Sequence, residues 1–586
     1  MLLKNKPFWI AAILLAHVAC VPEKSGLETS QDVAAVRALN KSEREKDFDV
    51  LVESIRSLYA PLHYKEKRFG FKFDDLVAEY GDKVRTAQND EEYVGVLLQF
   101  LTRFQDGHIS LSTPVGDAST IYRVPLFLIP VENRAIIAEI NEKSVTETHG
   151  IEVGDEILEI DGINPFDLLP IIKKYKTFGN EISDQHFLHN TLIRPAYITE
   201  LKPTRSTVRL KIAKRNGEVL ERELVWNVTN SGNSVQPRIL NQPLERAVSL
   251  NAEELFSRAN ISKMSEDEPF WLTPQVLKAT RMRKITPSQE MFKAFLKEVG
   301  LPESTEMPKL FAAVYRFNGS EFGNGKTLLL FRIGTYDQEK SEQINARIAW
   351  YKALLADYKD LVDALVIDQT HNGGGYLSYG TAIVSLFANG QTRGLVNFLN
   401  ADRRWLSTLS ERSRLFAQHN FTKGEIKNIA DLGYRLVEDA IDNGLRLTTQ
   451  PIPLGFSQFY IPPSKPQFDK PVLILIDELS GSTADIMPLL MKENGLATLF
   501  GERTAGLGGN VETVVSLPNS NMRLSLTRGF FAAYNPEGKY DFENGMTENN
   551  GVEPDIRYSH TVEDVRAGYI NYVREFSKAA ASLDEK

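Results

Sequence analysis

The sequence predicts an α/β protein of several domains. The prediction rests on two buried-strand patterns, one of which leads into a helix, and on one strand-rich stretch. Residues 472–477, Val-Leu-Ile-Leu-Ile-Asp, are β-branched, apolar and short enough to form a buried strand. A helical pattern follows over 483–494, and Gly495 is placed to end it. A second buried-strand pattern covers 364–367, and residues 120–226 are rich in strand patterns. The length of 586 residues exceeds a single core and predicts about three or four domains.

Ser482 lies between the first of these strands and its helix, in the turn Leu-Ser-Gly-Ser-Thr-Ala-Asp. Such a turn exposes the hydroxyl and directs free amides of the helix N-terminus toward the atom that the oxygen attacks, as in acyl-transfer enzymes. Serine is also a preferred N-cap residue, so a capping role is the alternative interpretation.

Three more segments supply groups that a hydrolytic site needs. Residues 367–375 end in three successive glycines, which let a backbone approach a ligand and turn its amides inward. Phe-Gln-Asp-Gly-His at 104–108 ends an amphipathic helix pattern that starts near residue 93, and it places His108 in a turn. Glu548 precedes a turn and a short strand, where it would orient a histidine or be solvated. The alternative for His108 is an exposed or structural histidine, because unpaired polar residues lie mostly at surfaces.

In their order, these segments resemble the tail-specific, or carboxy-terminal processing, serine protease family. The matching motifs are Asp106-Gly107-His108, Asp368 to Gly375, Ser482-Thr483-Ala484-Asp485, Gly501-Glu502-Arg503-Thr504-Ala505-Gly506 and Gly551-Val552-Glu553-Pro554-Asp555. The resemblance covers about 93–230 and 326–560, and it implies a catalytic α/β core of the crotonase-like type.

The family has two branches, which differ in the base that activates the serine. In one branch a lysine follows the Gly-Glu-x-Thr-x-Gly motif, but here Leu507 stands at that position and cannot accept a proton. Lys492 is ten residues beyond Ser482, on the order of 15 Å away along a helix, which is outside hydrogen-bond reach.

The other branch resembles the tricorn protease, with a histidine base and a glutamate near the carboxy-terminal strand. The resemblance implies that Ser482 attacks a peptide carbonyl, that neutral His108 takes its proton, and that Glu548 holds the imidazole. The oxyanion would meet backbone amides, those of Thr483 and of Gly374 or Gly375. Gly107 replaces the serine that relays between histidine and glutamate in that pattern, which leaves open whether this connection runs through water.

No metal or other cofactor is expected. The nine histidines show no His-Glu-x-x-His or paired-ligand spacing, and the single cysteine excludes a thiolate cluster. His371, inside the glycine loop, is interpreted as a loop or substrate-contact residue, with the base role as the competing interpretation.

Residues 149–162 resemble the hairpin of a PDZ-like domain, with turns at Gly154-Asp155 and at Asp161-Gly162. Such a domain binds an extended chain, often its free carboxyl end, by adding it as a strand to a sheet edge. We expect peptide contacts near Gly154, Asp155 and Gly162. The alternative is a rigid β spacer that binds nothing.

The amino terminus indicates export. Lys4 and Lys6 precede an apolar segment at 8–16, which is too short to span a bilayer and is typical of a secretory signal. Val-Ala-Cys at 18–20 resembles a bacterial lipoprotein cleavage site, so we expect Cys20 to carry lipid in the cell envelope. His17 departs from the usual aliphatic residue, and a plain periplasmic or secreted protein is the alternative.

The predicted organisation has five parts. They are a signal peptide at 1–20, a helical domain at 21–115, a PDZ-like domain at 116–230, a linker with a helical insertion at 231–325, and a catalytic core at 326–586 with a helical insertion at about 400–450.

Two function classes fit the sequence. The first is a serine endopeptidase that cleaves extracytoplasmic polypeptides near their carboxyl ends, with a membrane contact only through the lipid anchor. The second, motivated by Leu507 and Gly107, is a catalytically silent protein that binds peptide or ligand on the same scaffold. A net charge of −9 and a pI near 5.7, without a basic stripe, argue against nucleic acid as a partner.

Overall fold

A computed structural model of the chain gives the architecture and the site. It describes residues 38–112, 119–230, 268–316, 322, 325–338, 340–418, 425–453, 459–542 and 546–583. Cys20 and the predicted signal segment lie outside these residues. None of the helices in the described ranges is both long and apolar enough to cross a membrane.

The amino-terminal part is helical, as the amphipathic patterns predict. Its helices are α1 (Lys41–Leu58), α2 (Leu62–Phe69), α3 (Phe73–Thr86) and α4 (Asp90–Thr102). A capping box at Asn40 begins α1. Phe48, Phe100 and Phe104 pack together in the shared core and fix the end of α4. The chain then turns through His108 into the short strand β1 (Ser110–Leu111).

The next part contains two antiparallel sheets. The strands are β2 (Thr120–Arg123), β3 (Leu126–Val131), β4 (Arg134–Ile140), β5 (Glu156–Ile160), β6 (Ile193–Pro195), β7 (Thr207–Ala213), β8 (Val219–Val225) and β9 (Asn227–Asn230). The helices are α5 (Lys143–His149), α6 (Pro165–Ile172) and α7 (Glu181–Asp184), which continues as a 3₁₀ turn over Gln185–Thr191. One sheet has the order β3-β4-β5-β7-β8 and the other β6-β2-β9.

The rest of the chain alternates strands and helices. The strands are β10 (Arg283–Lys284), β11 (Ala312–Arg316), β12 (Thr327–Arg332), β13 (Ala364–Asp368), β14 (Leu395–Leu399), β15 (Ile452–Pro453), β16 (Val472–Ile476), β17 (Thr498–Gly501), β18 (Gly509–Ser516), β19 (Arg523–Ala533) and β20 (Ile556–Arg557). The helices are α8 (Pro274–Thr280), α9 (Gln289–Glu298), α10 (Ser341–Tyr358), α11 (Leu377–Ser385), α12 (Arg403–Gln418), α13 (Glu425–Asp442), α14 (Thr483–Glu493), α15 (Val562–Arg566) and α16 (Ile570–Ala581).

A seven-stranded sheet of order β10-β11-β12-β13-β16-β17-β20 forms the core. It is parallel from β12 to β20, and both β13 and β16 are buried along their whole length. Continuous apolar runs are typical of strands covered on both faces, so the strand and helix predicted around Ser482 are confirmed. The segment 231–325, expected to be a linker with helices, also supplies β10 and β11 to this sheet.

A second sheet positions the histidine loop. Its order is β1-β19-β14-β15, with β18 also paired to β19. Ser110 of β1, two residues after His108, pairs with Ser525 of β19. The loop that carries His108 is therefore fixed between the end of α4 and an interior strand of this second sheet.

Candidate active site

Ser482 lies at the turn between β16 and α14, half-buried, with φ 55° and ψ −118°. Few L-residues adopt this conformation, and it costs on the order of 1–3 kcal/mol. Ser482 occupies the N-cap position of α14, but its side chain makes no capping hydrogen bond. The capping interpretation is therefore wrong, because the hydroxyl does not satisfy the helix amides.

The nucleophile turn is held by its own hydrogen bonds and by the glycine loop. Asp477 Oδ1 accepts a bond from Ser480 Oγ at 2.9 Å and closes the turn. The amide of Gly481 donates to the carbonyl of Asn372 at 3.0 Å. The loop that follows β13 and the turn that follows β16 are thus joined directly, as expected for loops at the carboxyl ends of neighbouring parallel strands.

The glycine loop approaches Ser482 more closely than any side chain would permit. A Cβ on Gly374 would lie 2.6 Å from Ser482 Cβ and 3.0 Å from the Thr483 nitrogen. The Gly374 amide already donates to Asn372 Oδ1 at 2.9 Å, so Gly375 is the better candidate of the two glycines predicted to supply the second oxyanion donor. Gly375 is exposed, with φ 132°, and Thr483 is the first residue of α14, whose amide has no intrahelical partner.

His108 is buried and held by its neighbour Asp106. The His108 amide donates to Asp106 Oδ1 at 2.8 Å, while Tyr59 Oη and Thr527 Oγ1 donate to Asp106 Oδ2 at 2.9 and 2.8 Å. Burial lowers the pKa of the His108 imidazole, outweighing the Asp106 charge that raises it. His108 Nδ1 is buried and has no hydrogen-bond partner among the described residues. The imidazole of His108 is therefore neutral at neutral pH.

Glu548 lies beside His108 in a loop 440 residues further along the chain. One nitrogen of His108 and one carboxylate oxygen each of Asp106 and Glu548 lie within 4.8 Å of one another. Glu548 Oε2 accepts the Gly508 amide at 3.0 Å, and Oε1 accepts a bond from Lys65 Nζ. Burial, together with the Asp106 charge, raises the pKa of Glu548 to about 7 even though Lys65 lowers it. The structure thus brings two of the predicted site residues together.

Within the described residues, Asp106, His108 and Glu548 are the one group close enough to share a cation. Both oxygens of Glu548 and both oxygens of Asp106 already accept bonds from protein donors, among them Lys65 and the Gly508 amide. The Lys65 ammonium already brings a positive charge to this group, which disfavours a metal ion there.

The two positions considered for a lysine base, Leu507 and Lys492, are engaged elsewhere. Leu507 is buried and belongs to the apolar core of residues 124–226. Lys492 Nζ donates to the Glu553 carbonyl at 2.7 Å and lies 3.0 Å from Asp555 Oδ1. His371 packs edge-on against the Phe270 ring at 4.4 Å between centroids, and burial lowers its pKa to about 4.

The hairpin positions expected to contact peptide have other neighbours. Asp155 is buried, and its Oδ2 accepts a bond from Lys214 Nζ at 2.8 Å. Arg566 Nε donates to the Gly154 carbonyl at 3.1 Å, and a Cβ on Gly154 would lie 2.9 Å from Arg566 Cγ. Gly162, with φ 86°, shapes an open turn. Gly154 and Asp155 are thus engaged by the chain itself, and peptide binding near them stays a prediction.

Sequence reasoning missed the segment between α6 and α7, with the start of α7, which contacts three loops around the candidate site. Asn180 Nδ2 donates to the Ala505 carbonyl and Ser183 Oγ to the Glu478 carbonyl, both at 2.6 Å. Asn549 Nδ2 donates to the Gly179 carbonyl at 3.0 Å. No local signal marks these residues, because each partner lies hundreds of positions away.

Comparisons with known proteins match two parts of the chain to known families. Residues 331–558 match peptidase family S41, and residues 121–235 match the PDZ domain. A protein of Chlamydia trachomatis is 25% identical over 582 residues, covering 92% of both chains. One of Chlamydia pneumoniae is 23% identical over 602 residues, covering 93% of this chain and 91% of the relative.

Solved structures show the same fold. The structure of mature CPAF complexed with lactacystin has a TM-score of 0.70 at 22% identity, covering 92% of this chain and 98% of that one. A second structure of mature CPAF gives the same TM-score and covers 97% of that chain.

Proposed function

Because this chain has the core and PDZ domain of the tail-specific, S41-type serine peptidases, we propose that it is an endopeptidase that cleaves extracytoplasmic polypeptides near their carboxyl ends. Ser482 is the proposed nucleophile, His108 the base and Glu548 the group that orients the base. The observation that carries this assignment is the strained, uncapped Ser482 at the N-terminus of α14, in contact with the glycine loop.

The base chemistry follows from the burial of His108. A neutral imidazole takes the proton of Ser482 as its oxygen attacks the peptide carbonyl, then returns the proton to the leaving amine. The imidazolium formed in between lies in a buried site, where nearby negative charge favours it. Asp106 and Glu548 provide that charge. We expect a water to link His108 Nδ1 to Glu548, since two hydrogen bonds of ordinary length span such a gap.

The amides of Thr483 and Gly375 are the proposed hydrogen-bond donors to the oxyanion. Thr483 Oγ1 donates to the Gly375 carbonyl at 2.6 Å, which fixes the two backbones relative to each other. Pre-aligned amides need no reorganisation when charge develops, and loss of one donor typically costs about 100- to 1,000-fold in rate.

The substrate and the compartment are inferred from the rest of the chain. A PDZ-like domain captures extended carboxyl-terminal segments by strand addition, which favours cleavage near the end of a polypeptide. The amino-terminal segment and Cys20 favour export and a lipid anchor in a bacterial envelope.

The test is hydrolysis of an unfolded protein by matched variants. Ser482→Ala and His108→Ala should each fall to a similar residual rate, and the double variant should lose little more, because members of one catalytic unit are not additive. Lys492→Ala is the control and should retain activity. Turnover by Ser482→Ala equal to that of the natural chain would remove the assignment, and a silent natural chain would favour the binding-protein alternative.

A further inference from the structure

We propose that Lys65 is a positioning residue of the catalytic site, which holds the Glu548 carboxylate in place beside His108 and favours its ionised form. The inference rests on the proposed function, because it gives Lys65 a role through Glu548. It assigns part of the site to α2, in the helical region that precedes the matched peptidase and PDZ segments.

The ammonium of Lys65 is fully engaged by the two loops that carry the base and its orienting acid. Its Nζ donates to Glu548 Oε1, to Asn549 Oδ1 at 2.6 Å and to the Gln105 carbonyl at 2.9 Å. An ammonium has three donors, and three acceptors are present. Lys65 therefore fixes the Glu548 loop against the loop that leads into His108.

The burial of Lys65 is difficult to explain by stability alone. Its side chain has 0% relative exposure, and that of Glu548 has 1%. Removing both charges from water costs several kcal/mol each, and apolar residues in place of a buried pair are often equally or more stabilising. A buried cation between two catalytic loops is thus better explained by what it does to its neighbours.

The charge of Lys65 acts on both groups of the proposed mechanism. Burial and the Asp106 charge raise the pKa of Glu548, whereas Lys65 lowers it. Burial lowers the pKa of His108, and the positive charge of Lys65 lowers it further. Without this cation the pKa of Glu548 would be higher, and less of the carboxylate would be ionised at neutral pH to stabilise the imidazolium.

The other titratable groups near Glu548 do not replace the cation. Tyr59 and Tyr64 face the site from the same helical region, and burial raises the pKa of both hydroxyls, that of Tyr64 to about 12. Both tyrosine hydroxyls are therefore neutral across the pH range in which the site would work. Arg68, on the next turn of α2, donates to Tyr64 Oη and to Asn550 Oδ1, and it is exposed. Lys65 is thus the one buried cation that bonds Glu548 among the described residues.

The experiment measures the rate at which a fluorophosphonate labels Ser482 between about pH 5 and about pH 10. The natural chain should gain reactivity through about pH 7, as Glu548 ionises. Lys65→Met should move this midpoint up by about one pH unit or more, with a loss of about fivefold or more at pH 7 that is recovered at high pH. Lys65→Gln keeps a hydrogen-bond donor without the charge and should give the same shift of the pH midpoint. It therefore tests the proposal even if the Lys65→Met variant folds poorly.

Lys352→Met is the matched control. Lys352 is another fully buried lysine, on α10, and it is bonded to Glu298 and to Ser464 Oγ. Its loss should lower stability and leave the pH midpoint of labelling unchanged. In Glu548→Gln the step near pH 7 should vanish, and adding Lys65→Met should not restore it.

The outcomes separate the two proposals. If labelling does not require Ser482 and His108, the proposed function fails. If it requires both, yet Lys65→Met lowers the rate by one constant factor at every pH, the proposed function stands and the role of Lys65 is overturned. A step near pH 7 that persists in Glu548→Gln would overturn it as well.

Discussion

The side chain of Leu507 packs against the backbone of Gly107: Leu507 Cδ2 lies 2.6 Å from the position that a Cβ on residue 107 would take. The backbone of Phe178 lies on another side, with its Cα 3.1 Å from that position. The two departures from the family pattern, leucine for the lysine of one branch and glycine for the serine of the other, are thus one packing arrangement. The leucine at the lysine position of one branch therefore crowds the position of the relay serine of the other.

Gly107→Ser should therefore destabilise the protein by about 1–3 kcal/mol, as overpacking of a filled site does. It should also slow fluorophosphonate labelling, because the next residue is His108. Denaturant unfolding measures the first effect and labelling the second. Gly390→Ser is the control, since nothing lies within 4 Å of a Cβ at that glycine. Equal stability of the two variants would contradict the packing argument.

Ser482 should carry backbone strain that glycine relieves. Ser482→Ala should abolish hydrolysis with little change in stability, because no capping bond is lost. Ser482→Gly should be more stable than Ser482→Ala by about 1 kcal/mol, measured by urea unfolding.

Ser288 is the comparison for this series. It caps α9 in the ordinary way, accepting the Met291 amide at 3.3 Å, so Ser288→Ala should cost about 1 kcal/mol. A loss of the same size for Ser482→Ala would indicate a capping role at Ser482 after all.

The sequence predicts those candidate site residues that lie in local patterns. Ser482 follows a buried strand and precedes a helix, and a buried parallel strand has a continuous apolar run that is visible without any partner. Lys65 could not be found this way, because its carboxylate partner is 483 residues away and the spacing of α2 is that of any surface helix. The same holds for Asn180 and for the packing of Leu507 on Gly107.

The PDZ-like domain should be required for assembly of the site. Asn180→Ala removes bonds to Ser183 and to the Ala505 carbonyl, and an unsatisfied buried carbonyl costs about 1–3 kcal/mol. Labelling of Ser482 should slow, because Ala505 donates its amide to the Ser480 carbonyl of the nucleophile turn.

The control lies in the same domain. Asn164 caps α6 by accepting the Phe166 amide at 2.9 Å and is exposed, so Asn164→Ala should lower stability without affecting labelling. Equal labelling rates for the two variants would indicate that the PDZ-like domain is a spacer that does not help to assemble the site. Deletion of residues 120–230 should abolish labelling rather than alter selectivity alone.

Cys20→Ser should convert the protein from detergent-extracted to freely soluble, because the thiol is the expected lipid acceptor. Fractionation of bacterial membranes measures this. His17→Leu restores the usual aliphatic residue before the cleavage site and should stay in the membrane fraction. An unchanged membrane fraction for Cys20→Ser would argue against a lipid anchor.

The central claim is that Ser482 is a nucleophile activated by His108. The most direct measurement is mass spectrometry of the fluorophosphonate adduct after digestion of the natural chain and of His108→Ala. The account predicts one adduct, on Ser482, that forms at least about 100-fold more slowly in His108→Ala. An adduct on another residue, or undiminished labelling of Ser482 without His108, would contradict it.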